Sequence, residues 1–88
     1  MAKFTFHSDC GHGWLAVKRK LLIELDLIGK ISNHSYQKGS TVYLEEDCDA
    51  SLFVQTYEGR LGEKPVIVHG KHYDNANPIR GYASFVSI

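Results

Sequence analysis

The sequence predicts an α+β domain of two layers, a mainly antiparallel sheet of four to six strands with two helices on one face. Three observations carry this. Short stretches such as Lys3-Phe4-Thr5-Phe6-His7 alternate apolar and polar residues, the period of a half-buried strand. Two longer stretches repeat apolar residues at steps of three and four, the period of an amphipathic helix. The strand-like stretches also come in adjacent pairs, which favours antiparallel pairing and leaves the helices to one side. The predicted order is β-β-α-β-β-α-β-β in a single domain over residues 1–88.

The first strand is residues 3–7, with Phe4 and Phe6 facing the core. Ser8-Asp9-Cys10-Gly11-His12-Gly13 is turn chemistry: Asp9 can accept from backbone ahead of it, and the glycines permit close approach. Trp14 to Val17 resumes an extended run and closes a first hairpin. Lys18 to Leu27 follows as a helix with Val17, Leu21, Leu25 and Ile28 on one stripe and Gly29 as its C-terminal cap. Lys18-Arg19-Lys20 places three cations at the end of the helix dipole that disfavours them.

Residues 31–36 and 41–45 form a second hairpin around Lys38-Gly39, with Tyr36 and Tyr43 as cross-strand neighbours. Val42 and Leu44 share one face, Tyr43 and Glu45 the other. Ala50, Phe53, Val54, Tyr57 and Leu61 give the clearest helical stripe, from about Cys48 to Arg60. Asp47 is expected as its N-cap with Asp49 in the first turn, and Gly59 or Gly62 as its end. Val66 to His69 is a strand. Residues 70–78 are too polar for a core element and read as a loop, and Tyr82 to Ile88 reads as the last strand.

Composition bounds the function. Eighty-eight residues, 43% of them hydrophobic, build one small core. Ten basic and ten acidic residues cancel, which argues against a dedicated nucleic-acid binder. The charge is uneven: residues 1–40 hold six Lys/Arg against three Asp/Glu, and residues 41–88 hold four against seven. No apolar run approaches the roughly 20 residues of a membrane span, and Met1-Ala2-Lys3 does not open a signal peptide. The expectation is a cytoplasmic protein with Cys10 and Cys48 reduced.

Taken together, Ser8-Asp9-Cys10-Gly11-His12-Gly13-Trp14-Leu15, Ser35-Tyr36-Gln37, Val42 through Asp49 and Pro78-Ile79-Arg80-Gly81-Tyr82 resemble a family of small proteins encoded by bacteriophages and related mobile elements. That family has no established activity, so the resemblance implies a setting, the cytoplasm of a host bacterium, and no mechanism. A proline is usual in that pattern where this chain has Cys10, which counts against a shared role for the thiol.

Four chemistries are open. His7-x-Asp9-x-x-His12, completed by His69 or His72, can ligate a metal, but HExxH and paired CxxC are absent. Glu45, Glu46, Asp47 and Asp49 can hold a hard cation through oxygen, although capping already accounts for Asp47 and Asp49, and Glu45 and Glu46 have no evident structural duty. Cys48 is a poor nucleophile, since neighbouring carboxylates oppose the acidifying helix terminus. The fourth is ligand binding by mixed polar and aromatic groups: Asp9, Gly11, His12, Trp14, Tyr36, Tyr43, Glu45, His72, Arg80 and Tyr82, with Tyr73 as a further ring. Aromatic rings stack on bases, and arginine and histidine hold phosphates.

The reading that joins these is a phage-type accessory protein acting by binding, which sequesters a nucleotide-like, phosphorylated signal or inhibits a host protein. Its alternatives are a small metal-dependent hydrolase using His7, Asp9 and His12, and a structural protein that forms homo-oligomers. The sequence names no cofactor.

Overall fold

The computed structural model describes residues 2–87, with Lys71 described by its backbone alone. Met1, part of the signal-peptide reading, and Ile88, the predicted end of the last strand, lie outside the described residues. The described residues form six strands and two α-helices: β1 (Lys3–Asp9), β2 (Gly13–Lys18), α1 (Arg19–Glu24), β3 (Tyr36–Lys38), β4 (Thr41–Glu45), α2 (Asp49–Leu61), β5 (Val66–Tyr73) and β6 (Ala83–Ser84). A 3-10 turn, Pro78–Gly81, precedes β6. The strands make one sheet in the order β5-β1-β2-β4-β3-β6. The α+β class and the element order are those the sequence predicts.

Two tight hairpins, β1–β2 and β3–β4, are joined where β2 pairs with β4. All pairings are antiparallel except β1 with β5. Because β1 and β4 each pair antiparallel with β2, β5 runs parallel to β4 as well. The chain therefore leaves β4, crosses β2 and β1 along α2, and adds β5 at the far edge. A crossover of this kind requires a connection long enough to pass over the sheet, which a helix supplies.

Alternation decides the faces. Phe4 of β1, Leu15 and Val17 of β2, and Val42 and Leu44 of β4 point into one layer. There they meet Leu22 of α1 and Ala50, Phe53 and Tyr57 of α2, with Leu25, Leu27, Ile31 and Phe85 closing the rim. Phe4 packs edge to face with Phe53 and Tyr57, at 5.1 and 5.6 Å between centroids, and Phe53 and Tyr57 meet tilted at 5.7 Å. Truncating a ring as enclosed as Phe53 costs about 3–5 kcal/mol.

The other face is not simply solvated. After β5 the chain turns back at Asp74 and runs across this outer face to β6 at the opposite edge. This strap, residues 74–82, buries Ile79 and sets Tyr82 against Tyr43, with ring centroids 5.2 Å apart. The sheet is thus crossed by α2 on one side and by the strap on the other.

Four elements differ from the sequence prediction by three residues or more at one end, while β1 runs on two residues to Asp9. First, α1 stops at Glu24, because Asp26 takes a left-handed conformation (φ 59°). Leu27 N–H then bonds Leu22 C=O and Asp26 N–H bonds Ile23 C=O, a Schellman close sealed by Leu22 and Leu27 in the core. Gly29 is not the cap. Second, residues 31–35 are irregular rather than strand, and β3 begins at Tyr36. Third, β5 continues to Tyr73, four residues beyond the predicted end. At a sheet edge, backbone pairing with Ser8 and Asp9 holds polar residues in the strand. Fourth, the last strand is only Ala83–Ser84. The expected pairing of Tyr36 with Tyr43 is present. Of the two predicted ends of α2, Gly59 and Gly62, it is Gly62, with φ 71°, that closes the helix.

Candidate functional site

Two carboxylates organise the end of the sheet where β1 meets β2 and β4 meets α2. The first is Asp9, the last residue of β1. Its Oδ1 accepts from the N–H groups of Gly11 and His12, which shapes the β1–β2 turn. Its Oδ2 accepts from Asn77 N–H, and Arg80 donates from Nε to Oδ2 and from Nη2 to Oδ1. One side chain thus ties the turn to the strap. Arg80, then the Asn77 N–H, hold the Asp9 carboxyl far below the usual carboxylate range against the opposing effect of burial; Gly11 and His12 add to this. The same pairing raises Arg80 above its ordinary value. Arg80 also lies over the Trp14 ring, 5.4 Å from its centroid.

The second organiser is the acidic turn between β4 and α2. Glu45 reaches forward, and its carboxylate accepts from the N–H groups of Asp47, Cys48 and Asp49. The last two are among the amides that an α-helix leaves without partners at its start. Burial alone would raise the Glu45 pKa, but the Cys48, Asp47 and Asp49 N–H groups outweigh it and hold the carboxyl below its ordinary value, with His34 adding a smaller attraction. Asp49, buried in the first turn, accepts from Ser32 N–H and from the hydroxyls of Ser32 and Ser35. Ser35 in turn accepts from Glu45 N–H. Glu46 accepts from Gly13 N–H at 2.6 Å. An added Cβ at Gly13 would clash with the Phe6 ring, so a larger residue there would force that ring to move.

Two expectations are corrected here. The N-cap of α2 is Cys48, whose side chain makes no capping bond, and Glu45 rather than Asp47 satisfies the helix start. Glu45 and Glu46 each have a structural duty that the sequence did not reveal. The feature that could have found it is the position of Glu45, three residues ahead of Cys48, within reach of the first turn.

Between the two organisers lies a cleft of about 490 Å³. It is lined by the β1–β2 turn and the start of β2 (His12, Gly13, Trp14), the loop before β3 and its first residue (Ser32, His34, Tyr36), the end of β4 and the turn into α2 (Glu45, Asp47, Cys48), and Arg80. Its size is within the roughly 300–1,000 Å³ typical of small-molecule sites. Of the predicted ligand-binding residues, His12, Trp14, Tyr36, Glu45 and Arg80 meet here. Asp9 and Gly11 lie behind Arg80 and position it: the Arg80 Nη2 would sit 3.0 Å from a Cβ at Gly11.

The rest fall elsewhere. Tyr43 and Tyr82 line a separate small pocket of about 200 Å³ under the strap, with His7, Tyr73 and Ile79. Burial, and then Tyr82, raise the Tyr43 pKa. His72 is on β5, where its Nδ1 pairs with the Ser8 hydroxyl at 2.8 Å. Trp14 is only 3% exposed. It contributes as the surface on which Arg80 lies, with Tyr36 edge-on at 6.2 Å, and not as an open stacking platform. Sequence reasoning did not include His34, Ser32, Asp47 and Cys48 among the ligand-binding residues.

No three His, Cys, Asp or Glu side chains among the described residues converge as a metal site. Both Asp9 oxygens are engaged by the turn and the strap, which removes the carboxylate of the His7-Asp9-His12 pattern. Cys10 and Cys48 are free and exposed. No helix among the described residues is long and apolar enough to cross a membrane. No family model, curated protein or solved structure matches the chain.

Proposed function

We propose that the protein acts by occupancy: it binds a nucleotide-like, phosphorylated molecule in the cleft between the Asp9 and Glu45 organisers and so withholds it. The observation that carries this reading is Arg80. Its Nε and Nη2 are fixed by a buried carboxylate and its Cζ lies over the Trp14 ring, while Nη1 has no acceptor among the described residues. A guanidinium held in place on two sides, with donors left over at a cleft, is pre-organised to bind an oxyanion. Tyr36 supplies a ring beside it, and His12 and His34 supply further donors. The setting we propose, a phage-type accessory factor in the cytoplasm of a host bacterium, is supported by the motif resemblance.

Thermal unfolding across a nucleotide panel tests the reading. A ligand at a hundred times its Kd is expected to stabilise the fold by about 2.7 kcal/mol. No shift across the panel, from a protein that instead binds a host protein, would move the function to inhibition by contact. Native mass spectrometry of the same sample separates the remaining readings. Bound metal would favour the hydrolase, and a stable multimer the structural protein.

A further inference from the structure

The charge on the walls of this cleft specifies the ligand more narrowly. We infer that it selects a hydrogen-bond-donating ring joined to a phosphate of single negative charge, a nucleoside phosphodiester, over nucleoside polyphosphates. This deepens the proposed function and rests on it.

The argument starts from Arg80. Its positive charge is already matched by Asp9, bonded through both carboxylate oxygens. What Arg80 offers the cleft is the geometry of Nη1 more than net charge. The opposite wall carries Glu45 and Asp47. With imidazoles counted as neutral, one fixed cation stands against three carboxylates. No lysine and no second arginine is among the lining residues. A first phosphate charge can sit at Nη1, the point farthest in sign from the acidic wall. Each further phosphate charge has no fixed cation to meet and must share a small volume with Glu45 and Asp47. Like charges confined to one cleft repel, and salt screens that repulsion where the walls are open to water.

The acidic wall has the opposite effect on the other end of the ligand. Glu45 is engaged by three amides, but the exposed Asp47 carboxylate accepts no hydrogen bond among the described residues. A carboxylate is an acceptor only. It therefore suits the amino or imino N–H groups of a base edge, and the Tyr36 ring in the same lining is available for stacking.

Titration calorimetry at low salt, without added metal, tests this with the 3′,5′-cyclic monophosphates, 5′-monophosphates and 5′-triphosphates of adenosine and guanosine. The cyclic nucleotide is expected to bind at least roughly tenfold more tightly than the triphosphate, with the gap narrowing as salt screens the acidic wall. Asp47→Asn removes one charge from an exposed side chain with no structural bond. It should narrow the same gap several-fold without changing the far-ultraviolet circular dichroism. Ribose 5-phosphate serves as the base-free probe and should bind at least roughly tenfold more weakly than the cyclic nucleotide. A triphosphate that binds as tightly as the cyclic nucleotide overturns the charge selection and leaves occupancy standing. Ribose 5-phosphate binding equally well overturns the ring requirement. Failure of every compound overturns the proposed function itself.

Discussion

The two carboxylate organisers on either side of the cleft do similar work over different distances along the chain. Asp9 joins a turn two and three residues ahead of it to a strap that lies 68 to 71 residues away. Glu45 and Asp49 act on a helix start two to four residues on and on a loop 14 to 17 residues back. Asp9 is matched by a full positive charge. Glu45 and Asp49 are satisfied almost entirely by neutral backbone and hydroxyl donors. The first organiser therefore fixes tertiary structure through one ion pair, and removing its acid leaves a cation behind. The second spreads its work over several weaker bonds, and each carboxylate can be removed with a smaller consequence.

The largest expected effect comes from breaking the first organiser. Asp9→Ala should release the strap, free Arg80 from its place over Trp14 and expose Ile79, and the fall in Tm should exceed about 10 °C. Hydrogen exchange should localise the change to the Asn77 and Arg80 amides before the core opens. A variant whose strap amides stay protected would show that Ile79 and Tyr82 hold the strap without the ion pair. In the second organiser, Asp49→Ala leaves the buried Ser35 hydroxyl without its acceptor and frees the Ser32 loop. A loss of about 2–3 kcal/mol in denaturant unfolding is expected. If Asp49→Ala costs more than Asp9→Ala, the contrast between the two organisers is wrong.

The same contrast explains what could be read from the sequence. Val42 and Leu44 against Tyr43 and Glu45, the Tyr36–Tyr43 pair and the Gly62 stop depend on periods of two to four residues, and all were legible. The strap was not. Pro78, Ile79 and Arg80 carry no local signal that they return over the outer face, because their partners Asp9 and Trp14 lie more than sixty residues away. The sequence offers Trp14 as a ring for ligand binding, and the structure buries it beneath Arg80. Residues 70–73 looked like loop because an edge strand at Ser8 and Asp9 does not require apolar side chains. Gly29 attracted the helix cap because glycine tolerates positive φ, but the Leu22–Leu27 contact placed the close at Asp26. The cleft itself was half legible: five of its lining residues were singled out, and the loop holding Ser32 and His34 was missed because only the long-range bonds to Asp49 bring it there.

The acid response sharpens the comparison at smaller scale. Both Asp9 and Glu45 are held below their ordinary values of 3.8 and 4.5, so both favour the folded state when ionised. Their contributions are complete above those ordinary values. They fade as the pH falls below them, because the unfolded chain then takes up protons that the folded chain refuses. Glu45→Gln keeps the shape and removes the charge. It should cost about 1 kcal/mol at neutral pH, the usual scale of a helix cap. The loss should shrink as the pH drops through the carboxylate range, until variant and parent unfold nearly together.

His7 supplies the smallest effect and a different window. It sits on the outer face under the strap, edge-on to Tyr43 at 5.8 Å, and burial lowers its pKa below the ordinary 6.5. The unfolded chain therefore binds a proton at His7 more readily than the folded one, and stability should decline as the pH falls below about 6.5. His7→Gln should flatten that decline by a few tenths of a kcal/mol and leave the steeper carboxylate region unchanged. Urea midpoints between pH 7.5 and 5 measure it. A slope unchanged by the substitution would assign the decline to another histidine and show that the strap does not dehydrate the face it covers at His7.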